Sequence, residues 1–295
     1  NNIRQNQAAH PDVEEYELLG RTKSIDLPQA LNDRVKIGAQ LFMKTLRKSP
    51  LKAIKSLNAF EYGKIASSLK LLFWTNVFLS EDEYDVIHCH FGPIGIIGSM
   101  LKKISVINSS LIVSFHGYDV NSYVREEGEG VYDLLFKQAN MCTVNTDFTG
   151  SKVEKLGCPK EKIEKLPVGL DLNKFSPGTN KQQIDKTINI LTVARLVEKK
   201  GLEYAIGAVE PLVDDYDLKY EIIGDGPLRD KLECLIDSKG LKNNVKILGW
   251  KDRDEVIRSY RRSDIFILPS VTAEDGDQEG QGLVLQEAQA MKLPV

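Results

Sequence analysis

From residue 84 onward, short apolar runs rich in β-branched and aromatic residues alternate with segments of helical period. YDVIHCHF, SLIVSF, MCTVNT and KIEKLPV form a first set, and INILTVA, KYEIIG, VKILGW and DIFILPS a second. Runs too continuously apolar to alternate between core and solvent, spaced by helix-length stretches, predict strands buried on both faces of parallel sheets. The implied class is α/β, built from repeated strand–helix–strand units. Between the sets lies GLDLNKFSPGTNKQQIDKT, residues 169–187, which is polar, lacks a period and carries a Ser-Pro-Gly turn. The reading is a first domain over 1–172, a linker over 173–187 and a second domain over 188–295. Two open sheets joined in this way are expected to face each other across a cleft, with ligands at the carboxyl ends of the strands.

The pattern before residue 84 is different. Residues 34–70 carry nine Lys or Arg and a single acid, Glu61, mixed with Leu, Ile, Phe and Met. Ser49 and Pro50 read as an N-cap and a first helical position, so the stretch predicts two or more basic amphipathic helices. Two readings stay open: a solvated helix face, or a surface that docks on anionic lipid headgroups, each basic side chain contributing on the order of 1 kcal/mol. The apolar stretch LKLLFWTNVFL falls well short of the roughly 18 residues that span a bilayer, and the first residues do not read as a signal peptide.

Composition adds exclusions. With 295 residues, 42% of them hydrophobic and 27% charged, and a net charge of -3, the chain suits two ordinary domains and has no global charge with which to recruit nucleic acid. Cys89, Cys142, Cys158 and Cys234 lack the paired spacing of a zinc or redox motif. They fit a reducing compartment, so the expected location is cytoplasmic, with peripheral contact at the inner face of the plasma membrane if the basic helices dock there.

Candidate chemistry sits where strands end. Arg195 and Lys200 follow INILTVA closely enough to converge on one anion, the arginine as a planar fork and the lysine as a mobile point charge. Gly224 and Gly226 in GDGP permit a tight strand-to-helix turn, with Pro227 at the first helical position. The third glycine of a dinucleotide fingerprint is missing, so a nicotinamide cofactor is discounted. After DIFILPS, an acidic loop leads to Glu279. A helix opening at Gly282, Leu283 and Val284 would offer free N–H groups to phosphate oxygens, and Glu279 and Glu287 could border the same pocket and accept from sugar hydroxyls. His116 in FHGYD ends a strand beside a glycine that leaves the backbone approachable. His88 and His90 are expected on opposite faces of their strand, which argues against joint ligation of a metal; both read as structural, with His90 a candidate to line the cleft.

Taken in order, FHGYD, LPVGLDLNKFSP, ARLVEKKG, GDGPL and EGQGLVLQEA resemble the motif series of the family-four glycosyltransferases over roughly residues 84–295. The acidic loop SVTAEDGDQEG has the style of bacterial exopolysaccharide transferases of the colanic acid type. The resemblance implies the GT-B fold, two Rossmann-like parallel-sheet domains across a cleft, and a retaining transfer of a hexose from a UDP- or GDP-linked donor to a lipid-linked saccharide. It implies that Arg195 and Lys200 neutralise the donor diphosphate without a metal or other cofactor. Glu279 would contact the transferred sugar, Gly282, Leu283 and Val284 the phosphates, Glu287 the ribose, and His116 the region of the anomeric carbon. Both ends read as cut relative to this pattern, and Lys292 stands in AQAMKLPV where the family has glycine. A catalytically silent nucleotide- or partner-binding protein and a sugar-nucleotide epimerase are the competing readings. Intact His116, Arg195, Lys200, Glu279 and Glu287 favour activity over a silent protein, and the Arg/Lys and E-x7-E pattern favours the transferase over the epimerase.

Overall fold

All eight apolar runs form strands in the computed structural model, which describes residues 11–22, 25–79, 84–177 and 187–295. The first set gives β1 (Val86–His90), β2 (Ser110–Phe115), β3 (Met141–Val144) and β4 (Ile163–Lys165), hydrogen-bonded in that order. The second gives β5 (Ile188–Val193), β6 (Leu218–Ile223), β7 (Val245–Gly249) and β8 (Ile265–Phe266), ordered β7-β6-β5-β8. Every pairing among these strands is parallel. The middle of the expected linker, 178–186, lies outside the described residues.

The continuous apolarity of the runs has its cause in the packing. Adjacent residues of β5 enter different cores. Ile190 packs with the helices Leu202–Val209 and Arg229–Ser238, whereas Leu191 packs with Arg253–Arg262 and Leu283–Ala290. A strand buried on both faces has no solvent-facing alternate, and the one fully buried polar residue of β5, Thr192, is hydrogen-bonded to the Tyr220 hydroxyl at 2.7 Å. In the first sheet, Leu111, Val113 and Phe115 bury one face of β2 at no more than 1% exposure, and Ser114 on the other face is 6% exposed.

Strand order also places the crevice. From β5 the second sheet grows through β6 to β7, and β8 then returns to the other side of β5. The order therefore reverses at β5, and the loops leaving β5 and β8 part there, which is where open α/β sheets bind ligands. Those two loops carry Lys200 and Glu279.

The chain divides into two compact units, Asn1–Asp85 with Ile97–Ser109, and Val86–Ile96 with Ser110–Val295, so both sheets belong to the second. The first unit is helical, with Leu31–Lys48, Pro50–Lys55, Ala59–Ser67 and Lys70–Phe78. Ser49 and Pro50 take the expected N-cap and N1 positions. The apolar stretch LKLLFWTNVFL becomes the core helix of this unit, burying Leu71, Leu72 and Phe73. Among the described residues no helix is long and apolar enough to cross a membrane. Of the basic residues, Arg34 donates to the carbonyls of Pro28, Gln29 and Ser68.

Candidate functional site

The second sheet positions its residues through glycines. Lys200 ends a single 3-10 turn, Glu198–Lys200, closed by Gly201 at φ +63°. A Cβ on Gly201 would lie 2.0 Å from the carbonyl oxygen of Pro269, so only glycine lets this turn meet the loop after β8. Gly224 and Gly226 have the structural role expected of them. A Cβ at Gly224 would sit 1.8 Å from the Ala194 oxygen, and one at Gly226 would sit 2.6 Å from the Leu196 oxygen. Their backbone is thus pressed against the segment that leads to Lys200. Pro227 does not open the following helix, which starts at Arg229 with Leu228 as N-cap.

The ammonium of Lys200 pairs with the carboxylate of Glu279, their side chains only 14% and 24% exposed. Burial pushes the Glu279 acid up, but the hydrogen bond and charge of Lys200, aided by Lys199 and the Gly280 N–H, outweigh it and hold the pKa below the usual value. Three residues later Gly282, at φ +64°, caps the helix Leu283–Ala290. The N–H groups of Leu283 and Val284 have no carbonyl four residues earlier within that helix.

Lys200, Glu279, Gly282, Leu283 and Val284 line one cavity of about 320 Å³ together with His116, Asn145, Val168 and Gln281. Six of the eight residues singled out in the sequence therefore meet. Arg195 and Glu287 are not among those lining it. Arg195 is exposed just beyond β5. Glu287 faces Tyr260, whose hydroxyl donates to its carboxylate at 2.9 Å. Burial raises the Glu287 pKa, with the Tyr260 hydrogen bond and the charge of Arg253 opposing.

The first sheet contributes His116, directly after β2. Its placement rests on Asp119, a fully buried carboxylate that accepts the backbone N–H groups of Gly92 at 3.0 Å, His116 at 3.0 Å and Gly117 at 2.9 Å. One side chain thereby ties the loop after β1 to the loop after β2. The expectation that His88 and His90 point to opposite faces is wrong. Residues two apart on a strand share a face, and these rings have centroids 4.5 Å apart. Among the described residues no group of three or more histidine, cysteine or carboxylate side chains could hold a metal ion. His88 and His90 instead line a second cavity of about 180 Å³ with Ser114, Thr143, Leu166 and Pro167; it shares His116, Asn145 and Val168 with the first. Burial lowers the His116 pKa, and the nearby charge of His90 adds to this while Asp119 opposes it.

Sequence reasoning missed Asn145, Val168, Gln281 and Asp119. Gln281 belongs to the acidic loop after β8, which is fastened to the loops of the first sheet. The Gln281 amide donates to the Val168 carbonyl at 2.8 Å and accepts its N–H at 3.0 Å. The Ser122 hydroxyl donates to Asp275 at 3.1 Å, and Arg125 donates to the Glu274 carbonyl at 2.8 Å. Lys152 donates to Gln278 at 2.5 Å. Only the HGYD run, in which Asp119 follows His116 by three residues, offered a local signal for any of these.

Comparison with known proteins bears on the family and the fold. Residues 178–295 match the family model described as glycosyl transferases group 1. The putative colanic acid biosynthesis glycosyltransferase WcaL of Escherichia coli is 32% identical over 292 residues, covering 98% of this chain and 71% of that protein. The amylovoran biosynthesis glycosyltransferase AmsK of Erwinia amylovora is 35% identical over 246 residues, 82% of this chain and 60% of that one. A UDP-Gal:alpha-D-GlcNAc-diphosphoundecaprenol alpha-1,3-galactosyltransferase of Escherichia coli is 28% identical, covering 78% of this chain and 62% of its own length. Among solved structures, Anabaena HepE in complex with UDP and glucose superposes with a TM-score of 0.63 at 19% identity, over 79% of this chain and 64% of that one. The two parallel sheets are those of the GT-B fold.

Proposed function

Because the chain belongs to the group 1 glycosyl transferases, we propose that it moves a hexose from a nucleotide-sugar donor to a lipid-linked saccharide, with retention and without a metal. One observation carries this reading: Lys200, the open N–H groups of Leu283 and Val284, and His116 line a single cavity at the point where strand order reverses. A cation and a helix N-terminus aimed at one volume suit a diphosphate whose negative charge grows as the sugar departs. Arg195, exposed just beyond β5 and outside this cavity, has to swing toward the donor to supply a second cation. Glu279 accepts hydroxyls of the transferred sugar while Lys200 keeps it ionised, and Glu287, oriented by Tyr260, accepts from the ribose. His116, which lines the same cavity, serves the anomeric carbon.

The relatives support the choice of substrates. HepE has been seen with UDP and glucose, and the galactosyltransferase relative is named for a diphosphoundecaprenol acceptor. The chain spans only part of these proteins, so the assignment extends to a UDP- or GDP-linked donor as a class. A polyprenyl-borne acceptor also gives the helical unit a use. Leu51, Ile54 and Phe60 are 63%, 60% and 106% exposed within the stretch carrying Lys52, Lys55 and Lys64. Apolar prongs among cations fit an anionic bilayer surface, and co-sedimentation with liposomes that ignored anionic lipid content would remove that contact.

The main test is a thermal shift of this chain with UDP, GDP and ADP. A nucleotide at 100 times its dissociation constant stabilises by about 2.7 kcal/mol. Lys200→Met is expected to abolish the shift while the variant stays folded. No shift with any of the three in the parent chain would overturn the reading.

A further inference from the structure

The ring of His116 does not stand alone on its wall. His90 lies beside it, with centroids 5.3 Å apart and 12° between planes, and Nδ1 of His90 lies 3.1 Å from Nε2 of His116. Phe91 closes another side, its centroid 4.7 Å from that of His116. Phe91 achieves this from a left-handed backbone at φ +72°, held by its N–H to the Ser114 carbonyl at 2.8 Å. That conformation costs a bulky L-residue on the order of 1–2 kcal/mol, and such strain gathers at working sites.

We infer that His90 is a positioning residue: by sharing one proton between its Nδ1 and Nε2 of His116, it fixes which nitrogen of His116 faces the transferred sugar, as acceptor or as donor. The inference rests on the reading of His116 as the sugar-facing residue. An N···N contact of this length holds one hydrogen, so the two rings cannot both be protonated on the bridging nitrogens. Their tautomers are therefore linked, and a doubly charged pair must separate. The other ionisable groups around the pair are His88, whose ring neighbours that of His90, Asp119, which holds the His116 N–H, and Lys200 and Glu279 in the shared cavity. Lys200 and Glu279 neutralise each other, and Asp119 is bound by three N–H groups. His90 is left as the ionisable group in direct contact with the His116 ring, through the bridging nitrogens.

The chain has four histidines, few enough for imidazole nitrogen NMR to follow each ring. In the parent chain His116 is expected to show one dominant tautomer at neutral pH and a titration curve with a second inflection that comes from the proton shared with His90. His90→Ala should remove the inflection, move the His116 midpoint up and mix the tautomers. His90→Asn keeps a hydrogen-bonding group at the Nδ1 position; it should lose the inflection but preserve the single tautomer. His88→Asn should leave both features in place. An unchanged His116 curve in His90→Ala overturns the inference, and so does an inflection that survives in His90→Asn should the alanine variant fail to fold.

Ligand preference gives a second readout. His90→Ala should lose roughly tenfold in its preference for UDP-glucose over UDP, with UDP affinity unchanged. Equal losses for both ligands would mean general damage and would also overturn it. A parent chain that bound no nucleotide but kept the linked titrations would sink the proposed function and leave the histidine pair standing.

Discussion

The two sheets share one construction and differ in what fixes the loops at their carboxyl ends. In the second sheet, loops are locked by backbone against backbone: Gly201 against Pro269, Gly224 against Ala194, Gly226 against Leu196. In the first they are locked by side chains. A Cβ on Gly92 would strike the Tyr132 ring, one on Gly95 would strike Val113 and Leu135, and the Asp119 carboxylate ties two loops together. The chemistry divides the same way. The second sheet presents an ammonium and helix N–H groups, and the first presents imidazoles. A fixed charge array benefits from a frame that cannot yield, whereas a ring whose protonation matters is set by its neighbours.

Alanine at matched glycines tests that contrast most severely. Gly224→Ala must displace a carbonyl 1.8 Å away at φ +144°, and should cost about 4 kcal/mol or more of unfolding free energy, read from denaturant unfolding. Gly95→Ala meets only the ends of Val113 and Leu135, at 2.6 and 2.7 Å, and lies in the helix Gly92–Lys103. Overpacking of about 1–3 kcal/mol is there offset by up to about 1 kcal/mol of helix propensity. Equal costs at the two positions would end the distinction.

A smaller effect separates the sheets by pH. His88 and His116 both have lowered pKa values, burial being the first cause in each. The unfolded chain therefore binds more protons than the folded one just below the ordinary histidine value near 6.5, and stability should fall as pH drops through that range. The second sheet responds later and with opposed signs. The lowered pKa of Glu279 contributes stability above the usual carboxylate range that is lost as pH falls through its folded value. The raised pKa of Glu287 imposes a penalty that acid relieves. Melting temperature against pH should thus decline between about 7 and 5 in the parent chain, and decline less in a His88→Asn, His116→Asn double variant. Parallel curves would show that the first sheet's histidines do not govern this window.

The same contrast explains what could be read from the sequence. Strands, their parallel arrangement and the glycine-locked loops of the second sheet were legible, because a strand buried on both faces and a glycine under a carbonyl each leave a mark within a few residues. Asn145, Val168, Gln281 and the partnership of His90 with His116 were not, since they arise where loops far apart in sequence meet. The misplacement of His88 and His90 was different in kind: the period of a strand already puts residues two apart on one face. Arg195 and Glu287 were expected in the cavity from motif spacing, which specifies neither side-chain direction nor competing partners such as Tyr260.

Lys292 gives the mildest test, and it concerns a residue whose oddity the sequence did show. Where the motif has glycine, Lys292 sits at φ +60°. Leu293 donates to the Ala288 carbonyl at 3.0 Å and Lys292 to that of Gln289 at 2.9 Å, so the helix Leu283–Ala290 closes with the paired bonds of a Schellman turn and Lys292 at its left-handed position. Glycine reaches that conformation without the Cβ penalty of a lysine, although it also enlarges the entropy of the unfolded chain. Lys292→Gly should therefore stabilise by no more than about 1 kcal/mol, read as a small rise in denaturant midpoint at constant slope. Because the substitution lies at the far end of the helix from Leu283 and Val284, nucleotide-induced thermal shifts should be the same in variant and parent. A changed shift would mean that the helix end helps set the amides at its start, and the rigid frame attributed to the second sheet would have to include its last turn.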